Sequence, residues 1–198
     1  MEINERLFLG LHLDPLFKEE ITAHAKKLRE LYPNQKWVNL RHFHFTIHFL
    51  GDSSSEQREK IARIATEIAS QAKPFDVALE GMGAFPNLNK PRVVWVGAAK
   101  VCLADLHDFY RKITVPLIAE GFPVEHESFT PHATLFRVRA DSLIPWSPEV
   151  FQFPKTPLRM VNRLTLFKST LTEWGAEYVP IEEYPFRNES LGFEEDVF

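Results

Sequence analysis

Polar and apolar side chains alternate along His42-Phe43-His44-Phe45-Thr46-Ile47-His48-Phe49-Leu50-Gly51, the two-residue period of a half-buried β-strand. Aromatic and β-branched residues dominate the run, and Gly51-Asp52 with three serines closes it. Strict alternation assigns Phe43, Phe45, Ile47 and Phe49 to a core face, and His42, His44, Thr46 and His48 to the opposite one. A second run, Phe129-Thr130-Pro131-His132-Ala133-Thr134-Leu135-Phe136-Arg137, repeats the order His-x-Thr in the other half of the chain. Two such strands, one per half, suggest a duplicated unit whose copies meet across a shared cleft.

Around these strands the pattern alternates between periods of two and 3.6. Arg6 to Leu13 reads as a strand. Asp14-Pro15 then opens a helix to Leu31, with Asp14 as N-cap and a stripe of Leu16, Phe17, Ile21, Ala25 and Leu28. Ser53 and Glu56 stand at capping-box spacing ahead of a second helix striped by Ile61, Ile64, Ala65 and Ile68. Phe75 to Glu80 and Arg92 to Gly97 read as strands separated by turns at Gly81-Met82-Gly83 and Pro86 to Asn89. Ala104 to Glu120 is a third helical stretch, in which Pro116 implies a kink or an early end. The Pro- and Ser-rich stretch 141–157 reads as a loop that could lie over the cleft, and Trp146 within it is a candidate for stacking on a base. Val161 to Ser169 and Ala176 to Ile181 predict a closing hairpin, followed by an acidic tail at 191–198.

Composition narrows the function classes. With 198 residues, 44% hydrophobic and 25% charged, the chain suits one soluble domain over 1–190. Lys+Arg 23 against Asp+Glu 27 gives a net charge of −4, which disfavours a grip on extended duplex nucleic acid but leaves room for a local phosphate site. The single cysteine excludes an internal disulfide and a thiolate-built zinc site. Neither a signal-peptide layout nor an apolar run of membrane-spanning length is present in this sequence. A cytoplasmic monomer without membrane contact is expected.

Paired imidazoles titrate near neutral pH and suit general acid–base work. On facing strands, one can take a proton from water while the other gives one to a leaving oxygen. A threonine one same-face step from each can donate to a phosphate oxygen. A metal site built from His42, His44, His48 and His132 is the competing reading, weakened by the lack of a carboxylate in either motif.

The two motifs and their flanks resemble the 2H phosphoesterases, and within them the bacterial RNA 2′,3′-cyclic phosphodiesterases, historically called 2′-5′ RNA ligases. The resemblance rests on Arg6 to Leu11, His44 to Gly51, Gly83 to Pro86, Pro91 to Gly97, Pro131 to Arg137, Leu166 to Ser169 and Gly175 to Tyr178, in that order. It implies an α+β fold of two pseudo-symmetric lobes, each an antiparallel sheet backed by helices, with the active-site cleft between them. It also implies metal- and cofactor-independent opening of a 2′,3′-cyclic phosphate to the 2′-phosphomonoester, on RNA 3′ ends or small cyclic nucleotides. Catalysis would fall to His44 as acid and His132 as base, with Thr46, Thr134 and Arg137 on the phosphate. A 2′,5′-phosphodiesterase or 2′-5′ ligase would use the same centre, and a non-catalytic binder of RNA ends would retain only the fold. Alternation sets Arg137 opposite His132 and Thr134, so the strand must end or bulge before it. Phe49 stands where the family has a residue lining the nucleoside pocket, although alternation makes it core. His48 replaces a usually apolar residue and is expected to fill the polar cleft. Glu127-Ser128 stand where relatives often carry a basic residue, which argues against a tight hold on a longer strand.

Overall fold

The computed structural model describes residues 4–39, 43–124, 128–139, 151–172 and 175–187. His42, Trp146 and the 191–198 tail lie outside them, as does Glu127. Two four-stranded sheets, antiparallel throughout, carry the described fold. The first orders its strands β10-β9-β1-β3, from β1 (Glu5–His12), β3 (His44–Ser53), β9 (Arg163–Thr172) and β10 (Gly175–Pro185). The second orders β2-β7-β6-β5, from β2 (Lys36–Trp37), β5 (Leu79–Phe85), β6 (Val93–Ala98) and β7 (His132–Arg137). A two-stranded sheet pairs β4 (Phe75–Val77) with β8 (Arg159–Val161). Helices α1 (Pro15–Leu31), α2 (Ser55–Gln71) and α3 (Leu103–Ala119) supply the rest. The architecture is the expected α+β arrangement of two antiparallel sheets.

The helices follow from local chemistry. Asp14 caps α1 by accepting from the Leu16 amide at 2.7 Å, and Phe17, Ile21, Ala25 and Leu28 are buried while Leu16 stays out. The capping box of α2 sits one residue later than expected. Ser54 accepts from the Gln57 amide, and the Gln57 side chain accepts from the Ser54 amide at 2.9 Å. Ser53 is unavailable because it still belongs to β3, paired with Glu5. Pro116 does not bring an early end, since α3 continues past it to Ala119. It falls in the last turn, and Gly121, at φ 92°, takes the left-handed position just beyond it. Helices α2 and α3 pack together, α2 also against β10 and β9, and α3 against β3.

One expected turn is instead a bulge. Strand β5 runs straight through Gly81-Met82-Gly83, and its register against β6 slips between Leu79 and Met82, with Gly81 at φ 69° absorbing the extra residue. Gly83 has a separate reason to lack a side chain. A Cβ there would come within 2.3 Å of the Trp95 indole, which lies across it from β6. One contiguous cluster of buried side chains joins both sheets and includes Leu9, Phe45, Val94, Leu135 and Phe136.

Candidate active site

Strands β3 and β7 approach each other, and a cavity of about 930 Å³ opens where they meet, within the usual size of a ligand site. His44, Thr46, His132, Thr134 and Arg137 all line it. The structure therefore brings the five proposed phosphate-handling side chains to one cavity.

Both strands carry the same irregularity. In the β1–β3 ladder, Leu9 pairs with His48 and Gly10 with Thr46, leaving Ile47 as an extra residue. In the β6–β7 ladder, Val94 pairs with Phe136 and Trp95 with Thr134, leaving Leu135 extra. Each bulge sits immediately after the threonine. One inserted residue reverses which face the following side chains take. Arg137 thereby returns to the face of His132 and Thr134, as the sequence required of a strand that bulges. Phe49 returns to the face of His44 and Thr46, so its assignment to the core by alternation is corrected. It is 38% exposed and lines the cavity.

The same bulge corrects the face that alternation gave His48, which does not share that of His44, while its expected place on the cleft lining holds. Although it borders the cavity, it is only 2% exposed. Its Nε2–H donates to the Phe122 carbonyl at 3.1 Å, and Nδ1 accepts from the Thr114 hydroxyl at 3.4 Å. Burial pushes its pKa below the ordinary 6.5, against smaller upward pulls from backbone hydrogen bonds. His48 is thus a neutral, interior imidazole tying β3 to α3 and the segment after it. The four-histidine metal set loses this member, and His42 lies outside the described residues. Among the described residues, no group of three or more His, Cys, Asp and Glu side chains is placed to hold a metal ion.

The two motif histidines have different surroundings. The His44 ring lies 4.8 Å from that of Phe8 and 4.9 Å from that of Phe167, with Tyr178 edge-on at 5.2 Å. Phe8 and Phe167 themselves stack at 4.9 Å and 8°. Gly10 makes this packing possible, because a Cβ there would stand 2.9 Å from the Phe45 carbonyl and 3.3 Å from both His44 and Phe167. His132 is held differently. Its Nδ1–H donates to the Thr130 carbonyl at 2.7 Å, with Phe85 edge-on at 4.9 Å and Trp95 at 5.7 Å. A carbonyl only accepts, so the neutral ring carries its proton on Nδ1 and its basic lone pair on Nε2.

Sequence reading assigned no site role to Phe8, Phe85, Trp95, Tyr178, Arg6 or Arg92. Cross-strand register is the missing signal: Phe8 pairs with Phe49, Trp95 with Thr134 and Val93 with Arg137. No Asp or Glu lines the cavity among the described residues.

Two antiparallel sheets presenting His-x-Thr strands to one cavity define the class: a phosphoesterase of the two-histidine type. Comparison with known proteins agrees. A family model described as LigT like Phosphoesterase matches residues 12–95, the stretch holding the first motif. The RNA 2′,3′-cyclic phosphodiesterase of Archaeoglobus fulgidus is 31% identical over 152 residues, covering 74% of this chain and 83% of that protein. That of Aquifex aeolicus is 27% identical over 182 residues, covering 90% and 96%. The chain belongs to this family of LigT-like phosphoesterases. Its fold matches that of E. coli LigT, crystallised with 3′-AMP, at a TM-score of 0.71 and 23% identity over 93% of this chain and 99% of that one. A Thermus thermophilus structure matches at a TM-score of 0.69 and 26% identity, over 93% and 99%. No helix among the described residues is long and apolar enough to cross a membrane.

Proposed function

We propose that the protein opens 2′,3′-cyclic phosphates at RNA 3′ ends, or in nucleotides, to 2′-phosphomonoesters by paired-histidine acid–base catalysis. The observation that carries this reading is the convergence of two His-x-Thr strands, each bulged after its threonine, on one cavity lined by an arginine. Family membership supports it, since the relatives compared above are RNA 2′,3′-cyclic phosphodiesterases.

His132 takes a proton from the attacking water through Nε2, the nitrogen left basic by the Thr130 contact. The water oxygen forms a bond to phosphorus as the bond to O3′ breaks. His44 delivers a proton to O3′. The Thr46 and Thr134 hydroxyls donate to non-bridging oxygens, and the Arg137 guanidinium offsets their charge. Phe49 offers its exposed ring to the nucleoside. The substrate chemistry needs no group beyond these side chains and water.

The test is turnover of an RNA oligonucleotide ending in a 2′,3′-cyclic phosphate in excess EDTA, with the product phosphate located. EDTA-resistant conversion to the 2′-phosphate is expected. A 3′-phosphate product would exchange the roles of the two histidines, and activity lost only in EDTA would favour a metal mechanism.

A further inference from the structure

Among the described residues, the cavity of this acidic chain is lined by cations and by no carboxylate. Three arginines, Arg6, Arg92 and Arg137, line it without a described carboxylate, in a protein of net charge −4. None of the three takes part in an ion pair or side-chain hydrogen bond among the described residues, where Arg58, Arg111, Arg159 and Arg163 all do. Even Asp52, opposite Arg6 in the β1–β3 ladder, forms no salt bridge with it. A low-dielectric cleft lined by one sign of charge concentrates field and attracts anions.

Arg137 accounts for the reacting phosphate. Arg6 stands apart from it along β1. On β1 it lies four residues from Gly10, the cross-strand partner of Thr46, which at about 3.3 Å per residue is roughly 13 Å of strand. Between them on the same face sits Phe8, paired with the exposed Phe49, their rings 5.8 Å apart. The order across this lobe is histidine and threonine, then aromatic ring, then arginine. A terminal nucleotide presents the same order: cyclic phosphate, nucleoside, 5′ phosphate.

Building on the proposed phosphodiesterase reading, we propose that Arg6 binds the phosphate on the 5′ side of the terminal nucleoside. The site then discriminates a nucleotide that continues 5′, as in an RNA strand, from a bare cyclic nucleoside phosphate. This gives the substrate a second anchor beyond the reacting phosphate. Its chemistry is charge-assisted donation from a fork of N–H groups to phosphate oxygens.

Three substrates separate the sources of the effect: adenosine 2′,3′-cyclic phosphate, the same compound with a 5′ phosphate, and the dinucleotide ApA ending in the cyclic phosphate. For the native protein, kcat/KM on the second and third should exceed the first by about tenfold, chiefly through KM. Arg6→Gln should bring both ratios near one, and Arg6→Lys should restore part of the gain. On the dinucleotide, Arg6→Gln should also reduce the salt slope of log(1/KM) by about 0.7, a change that a merely structural role would not produce. Arg92→Gln should keep the ratios. Native ratios near one, a gain confined to the dinucleotide, equal losses on all three substrates in Arg6→Gln, or collapse of the ratios in Arg92→Gln instead would each overturn the assignment. Failure of the native protein on all three substrates would overturn the phosphodiesterase reading along with it.

Discussion

Strands β3 and β7 show what a duplicated scaffold holds constant and what it releases. From histidine to the third residue past threonine, the burial order is the same in both: partly exposed, buried, partly exposed, buried, buried, exposed. The bulge falls at the same step. Backbone geometry therefore leaves three unburied side chains at the cavity on each matched stretch: His44, Thr46 and Phe49 from one, and His132, Thr134 and Arg137 from the other. Only the third member changes type, a ring on one side and a cation on the other. Both imidazoles lie against aromatic rings, but those rings differ, and His132 also donates to the Thr130 carbonyl. Behind the strands, His48 occupies the place that Phe136 fills in β7, where Phe136 packs on Tyr32 and Trp37. The frame is shared, and chemical difference enters through single side chains.

Removing either histidine strikes the shared part of that comparison and should have the largest effect. His44→Ala and His132→Ala are each expected to lower kcat by about 10²–10⁴-fold with the melting temperature little changed, since both are only partly buried. Near-native turnover in either would break the pairing of the strands. Thr46→Val and Thr134→Val should come next, with losses of about 10–100-fold falling on kcat more than KM. Strongly unequal losses would show that only one threonine faces the transition-state charge. The divergent third position should act mainly through binding. Arg137→Gln is expected to raise KM about tenfold, and Phe49→Ala about fivefold on a substrate with a base to stack.

The smallest effect concerns His48, and it is one of stability. Because burial lowers its pKa below 6.5, the unfolded chain binds more protons than the folded one once pH drops below that value. Its contribution is fully present above pH 6.5 and is lost as pH falls toward the lower folded value. His48→Gln, which keeps a donor and an acceptor but cannot titrate, should flatten this acid-side decline in thermal melts between pH 8 and pH 5. An unchanged slope would mean that His48 is protonated equally in both states.

The sequence made some of this legible and hid the rest for identifiable reasons. Alternation and the repeated His-x-Thr order were enough to pick His44, Thr46, His132 and Thr134, because all four precede the bulges and keep simple parity. Beyond the bulge, parity fails. Simple alternation places Phe49 inward and His48 outward, the reverse of what the ladder shows. Arg137 escaped this error only because its motif position conflicted with alternation and demanded a bulge. The aromatic enclosure of His44 comes from β1, β9 and β10, and pairing across strands distant in sequence leaves no local signature. Pro116 does not end α3 at once because the cost of proline is positional, and a last turn has little helix left to break.

In the proposed mechanism, equivalent histidines in a duplicated frame take opposite proton-transfer roles. This division of roles can be tested with an RNA substrate whose cyclic phosphate bridges through sulfur at the 3′ position, assayed with His44→Ala and His132→Ala. A thiolate leaves without protonation, so His44→Ala should recover most of its lost rate on this substrate while His132→Ala stays impaired. Recovery by His132→Ala instead, or equal behaviour of the two variants, would contradict the assignment.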